Sequence, residues 1–176
     1  MMVKTLKIIT FFIFNLSICF SQELTDNKIG EYVNSIDSLF RGNKLILFNY
    51  PNLTFWGSVS AYFHGKELVF AKTISRGELG YKSTEIYFEN DFPCKIVEES
   101  HFPNWVQHAI NFPEDEDSNY DKMTYSDEKF EFIIGEKCKM YQKKEDSLIL
   151  IENNLEMINN EILNSKLIFD FIVKMK

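Results

Sequence analysis

Gly57–Ser100, GSVSAYFHGKELVFAKTISRGELGYKSTEIYFENDFPCKIVEES, decides the fold. It reads as two β-hairpins in succession. Successive side chains leave a pleated backbone on opposite faces, so period-two alternation marks a strand. Thr84, Ile86 and Phe88 fall on one face, and Ser83, Glu85, Tyr87 and Glu89 on the other, the pattern of a half-buried antiparallel strand with a wet side. Val59, Ala61 and Phe63 alternate in the same way with Ser58, Ser60 and Tyr62, while Leu68–Ile74 is apolar enough on both sides to be central. His64-Gly65-Lys66 supplies a glycine for a positive φ in the first turn. Arg76–Gly80 is a longer turn, and Glu89-Asn90-Asp91 begins the third reversal. Pro93 suits its exit, having no amide hydrogen to give a ladder.

Towards the N-terminus, Ile29, Tyr32, Val33, Ile36, Leu39 and Phe40 recur at three- and four-residue spacing, which predicts a helix over Thr25–Phe40 stopped by Gly42. Lys44–Tyr50 reads as an extra edge strand that breaks at Pro51-Asn52. Towards the C-terminus, His101–Asp121 has no clean period: a turn leads into a short helix, Trp105–Ile110, and a solvated loop follows at Glu114–Asp117. Phe130, Phe132 and Ile134 then share a face, and Cys138–Gln142 returns as the second arm of a third hairpin. Gly-Glu-Lys-Cys-Lys-Met in that hairpin echoes Asp-Phe-Pro-Cys-Lys-Ile at residues 91–96, a weak internal repeat. Leu148–Ile151 reads equally as a last strand or a helix start, and Asn154–Lys174 has a helical apolar side. The expected fold is α+β: an antiparallel meander of about six strands with an N-terminal and a C-terminal helix packed on one face.

Residues 1–21 are expected to be a signal peptide. Lys4 and Lys7 precede the apolar run Ile8–Phe20, which is shorter than the ~20 residues of a membrane span. Leu16-Ser17-Ile18-Cys19 resembles a lipoprotein box, but Ile18 stands where a small residue belongs, which favours secretion or a periplasmic location over lipid anchoring. The remainder, residues 22–176, suits one domain without a transmembrane span. The whole chain carries a formal charge of −7, and loss of two signal lysines makes the rest more acidic. Such a surface argues against nucleic acid or anionic lipid as partner.

Ala61-Tyr62-Phe63-His64-Gly65-Lys66-Glu67-Leu68-Val69, Gly77-Glu78-Leu79-Gly80-Tyr81 and Glu85–Asn90 resemble a group of small secreted bacterial proteins. Their hairpins have the form Tyr-Phe-x-Asn-Gly-Lys-Leu, and they look distantly like the MORN-type repeats of some bacterial immunity proteins. The resemblance covers Gly57–Val97 and, loosely, the third hairpin. It implies a β-rich exported protein and carries over no functional residue.

Cys94 and Cys138 remain after signal cleavage, and an even count in an oxidising compartment admits a disulfide, with buried free thiols as the alternative. Alternation puts Cys94 with Ile96 and Cys138 with Met140, on the same apolar face. Asp115, Asp117, Asn119 and Asp121 have the spacing of a calcium loop, but Tyr120 replaces the turn glycine and Ser126 the closing glutamate, so a solvated acidic loop competes with a metal site. His64, His101 and His108 lack zinc-ligand spacing. No cofactor is expected. A glycosidase-like pair such as Glu85 with Glu98 has no support from alternation. Trp56, Tyr62 and Trp105 are the aromatic candidates for display to a ligand. With no nucleophile elbow, phosphate loop or dinucleotide fingerprint, the expectation is an exported, non-catalytic domain that binds a protein or envelope ligand. A secreted hydrolase of carbohydrate or peptide is the alternative, and an immunity or structural role follows from the hairpin resemblance alone.

Overall fold

The computed structural model describes residues 26–53, 56–77, 79–104, 125–135, 137–144, 147–151 and 154–176. Helix α1 (Asp26–Arg41) is followed by β1 (Ile46–Leu53), β2 (Gly57–His64), β3 (Glu67–Arg76), β4 (Tyr81–Glu89), β5 (Phe92–Pro103), β6 (Tyr125–Ile133), β7 (Lys139–Lys144) and β8 (Ser147–Ile151), and helix α2 (Leu155–Met175) closes the chain. The eight strands form one antiparallel sheet in the order β1-β2-β3-β4-β5-β6-β7-β8. The expected α+β meander is present, with eight strands rather than about six. The edge strand before the meander and the ambiguous Leu148–Ile151 are both part of it. Pro51 does not end β1 but falls in an irregularity, where the pairing jumps from Tyr50↔Val59 to Leu53↔Gly57.

Short turns set the register. Gly65 takes φ +64° between β2 and β3, and Asn90 and Asp91, at φ 51° and 64°, form the two-residue connection from β4 to β5. Two left-handed residues in succession match the twist of a tight hairpin. The left-handed residue after α1 is Asn43 (φ 52°), one past Gly42; asparagine tolerates that conformation.

One cross-strand row makes the main core. Ala61, Ala71, Ile86, Ile96, Phe132, Met140 and Ile151 are successive partners across seven strands. Helix α2 covers them with Ile158, Ile162, Ile168, Phe169 and Ile172. Each large side chain so buried contributes about 1.5–3 kcal/mol before entropy is set against it.

Helix α1 lies on the opposite face, which corrects the expectation that both helices share one. Its Ile29, Val33 and Ile36 pack on Val69, Phe70, Tyr87 and Cys94. Two β-bulges explain the difference. Phe63 pairs with Leu68 and Tyr62 with Phe70, which leaves Val69 as an extra residue; Phe88 pairs with Pro93 and Tyr87 with Lys95, which leaves Cys94 extra. A bulge breaks strict alternation, so Val69 joins Phe70 on the α1 face and the supposedly wet side acquires an apolar patch. Tyr32 donates a hydrogen bond to the Phe88 carbonyl, and Tyr87 donates one to Asp37 Oδ1 at 2.9 Å, fixing α1 from both ends of the contact. Neither described helix is long and apolar enough to cross a membrane.

Candidate functional site

Beside the apolar row runs a second one: Val59, Thr73, Thr84, Glu98, Phe130 and Gln142 are likewise successive partners. Its middle is polar yet covered. Thr73, Thr84 and Glu98 are all buried on the α2 face. Burying a carboxylate without partners is costly, so its surroundings must answer it. Lys82, one pleat further along β4, places Nζ 2.8 Å from Glu98 Oε2 and 3.9 Å from Glu161 Oε1 of α2. Glu98 Oε2 is buried with no hydrogen-bond partner among the described residues, so the shorter contact acts as a charge contact.

Glu98 and Glu161 thus approach the same ammonium from sheet and helix. The Glu161 pKa is raised above the ordinary carboxyl value first by burial, then by the charge on Glu98, while Lys82 opposes the shift. From α2, Glu161, Asn164, Ser165 and Ile168 follow helical spacing and face the strands. With Trp56, Thr73, Ser75, Lys82 and Thr84 they line a cleft of about 310 Å³. Ser165 Oγ is buried there with no hydrogen-bond partner among the described residues.

The residues singled out from sequence are dispersed. Trp56 lines this cleft but is only partly exposed, its ring 5.5 Å from that of Phe171 on α2, so it is a wall rather than a displayed platform. Tyr62 is on the other face, 5.1 Å from the Phe40 ring and 5.4 Å from Phe70, half-buried beside α1. There it lines a groove of about 360 Å³ with Asp37, Phe40, Arg41, Lys72 and Glu85. Trp105, His108 and the calcium-like Asp115, Asp117, Asn119 and Asp121 lie outside the described residues. Among the described residues no three His, Cys, Asp or Glu side chains are grouped to hold a metal. His101 instead joins Asp127 Oδ1 at 2.5 Å and stacks between the rings of Tyr81 and Tyr125.

Cys94 is a free, buried thiol in the α1 cluster, whereas Cys138 packs against the α2 cluster, so the two are not bridged to each other. The bulge at Cys94 separates it from the face of Ile96. Glu85 and Glu98 also fall on opposite faces, Glu85 pairing with Lys72 at 2.7 Å. The members that sequence reading missed are Lys82, Thr73, Thr84, Glu161, Asn164 and Ser165. A signal existed: Glu98 shares strand parity with Ile96, and Glu161, Asn164 and Ser165 interrupt the apolar side of α2.

No family model, curated protein or solved structure matches the chain. The sheet is a β-meander, and nothing in it identifies a MORN-like repeat.

Proposed function

We propose that the chain is an exported, non-catalytic binding domain whose cleft beneath α2 holds a polyhydroxylated, carbohydrate-type ligand of the bacterial envelope. The observation that carries the reading is a covered cleft of hydroxyl, amide and carboxyl groups in which Ser165 Oγ is buried with no hydrogen-bond partner among the described residues. Carboxyl oxygens accept from sugar hydroxyls, Asn164 can both donate and accept, and the Trp56 indole offers an apolar wall to the C–H face of a ring.

The chain has two tryptophans, so Trp105→Phe leaves Trp56 as sole indole reporter. Titration with soluble peptidoglycan fragments and envelope polysaccharides should give a saturable change in Trp56 emission. Asn164→Ala should weaken it roughly tenfold, equivalent to about 1.4 kcal/mol. A flat response to every polyol tested would reject the reading.

A further inference from the structure

We propose that β8 pairs across a two-fold axis with β8 of a second copy of the chain, joining the two sheets edge to edge. Among the described residues strand β8 is hydrogen-bonded to β7 alone and forms one edge of the sheet. Side chains on both its faces are exposed and apolar: Leu148 at 51%, Ile149 at 45% and Leu150 at 47%. Edge strands ordinarily carry a lysine, a proline or a bulge that discourages pairing. Residues 147–151, Ser-Leu-Ile-Leu-Ile, have none of these, and their register with β7 is unbroken from Lys144↔Ser147 to Met140↔Ile151.

A strand edge selects another strand, because its unpaired amides and carbonyls need a ladder. The sequence points to a second copy. Antiparallel pairing centred on Ile149 sets Ile149 opposite itself, Leu148 opposite Leu150 and Ser147 opposite Ile151. Every cross-strand pair brings apolar groups or a hydroxyl together and no like charges, which is the self-complementarity a two-fold contact requires. The far edge is less suited. Strand β1 also exposes Ile46, Leu47 and Phe48, but Pro51 and the register shift after Tyr50 interrupt its ladder. Five paired residues bury less than the ~1,200–2,000 Å² of a stable interface, so the association is reversible and depends on concentration.

Sedimentation velocity of the purified protein across a hundredfold range in the micromolar region should show a monomer–dimer equilibrium. Ile149→Lys should abolish the dimer and leave the melting temperature within a few degrees of wild type. Ile149→Cys should give a covalent dimer on mild oxidation, because the axis passes through that position, and Ser147→Cys and the wild type should not. A monomer at every concentration overturns the proposal. So does a dimer that survives Ile149→Lys, or one lost on Leu47→Lys in β1 and kept by Ile149→Lys.

Discussion

Lys82 of β4 lies 2.8 Å from Glu98 Oε2 of β5, and Glu161 Oε1 of α2 reaches the same ammonium at 3.9 Å. The helix is thereby fastened to the sheet at the one stretch where its buried side turns polar. Because the folded pKa of Glu161 is raised above 4.5, the folded state binds more protons than the unfolded state once pH exceeds that value. Stability contributed by this proton is complete below the ordinary carboxyl range and declines as pH rises through the raised value.

Glu161→Gln tests that linkage. A glutamine keeps the size and polarity of the side chain and does not titrate. Thermal melts from acid to neutral pH should show a smaller loss of stability for the variant than for the wild type. Parallel curves would mean that Glu161 is not the titrating group.

Gly57 and Gly65 both have positive φ, +67° and +64°, but their surroundings differ. A Cβ on Gly57 would lie 2.2 Å from the Ile74 carbonyl oxygen, whereas one on Gly65 meets nothing within 4 Å. Gly65→Ala should therefore cost only the left-handed strain of about 1–2 kcal/mol. Gly57→Ala adds a backbone clash at the start of β2 and should be clearly the worse of the two in denaturant unfolding. Equal midpoints would contradict this ranking.

The meander was legible because Val59–Phe63 and Thr84–Phe88 alternate cleanly and their turns carry Gly65 and Asn90-Asp91. The placement of the helices was not. A bulge adds one residue to one strand, and nothing local in Leu68-Val69-Phe70 or Pro93-Cys94-Lys95 announces where the alternation slips. That slip put Cys94 under α1, whereas Tyr62 keeps the face its alternation gives and is half-buried because α1 packs there. The cleft was half legible. Strand parity carries Glu98 inward, but its partners Lys82 and Glu161 come from elements whose relative placement depends on the tertiary fold.

Phe132 is fully buried in the central row between Ile96 and Met140. Truncating it leaves a cavity under α2 that seven paired strands cannot collapse to fill. Phe132→Ala should cost about 3–5 kcal/mol. Leu163→Ala, at a position 59% exposed on the outer side of α2, should change stability by no more than about 0.5 kcal/mol. Urea midpoints of the two variants measure the contrast, and a mild effect at Phe132 would argue that α2 does not pack on this row.

The α1 interface should fail first in alkali. Burial pushes the Cys94 thiol up to about 12, with the Glu89 charge adding to it, and burial likewise raises the phenols of Tyr32 and Tyr87 well above their ordinary values. All three sit between α1 and the sheet, where ionisation would strand a charge in an apolar contact. Each raised pKa contributes stability that is complete below the unfolded-state value, near 9.0 for the thiol and 10.0 for the phenols, and is lost as pH climbs past it. The melting temperature should be level near neutrality and fall above about pH 9. The thiol reports the same contact kinetically, since the thiolate is the reactive form. A brief iodoacetamide pulse followed by peptide mapping should label Cys94 in urea but not in the native protein at pH 8. Rapid native labelling of Cys94 would mean that α1 does not cover it.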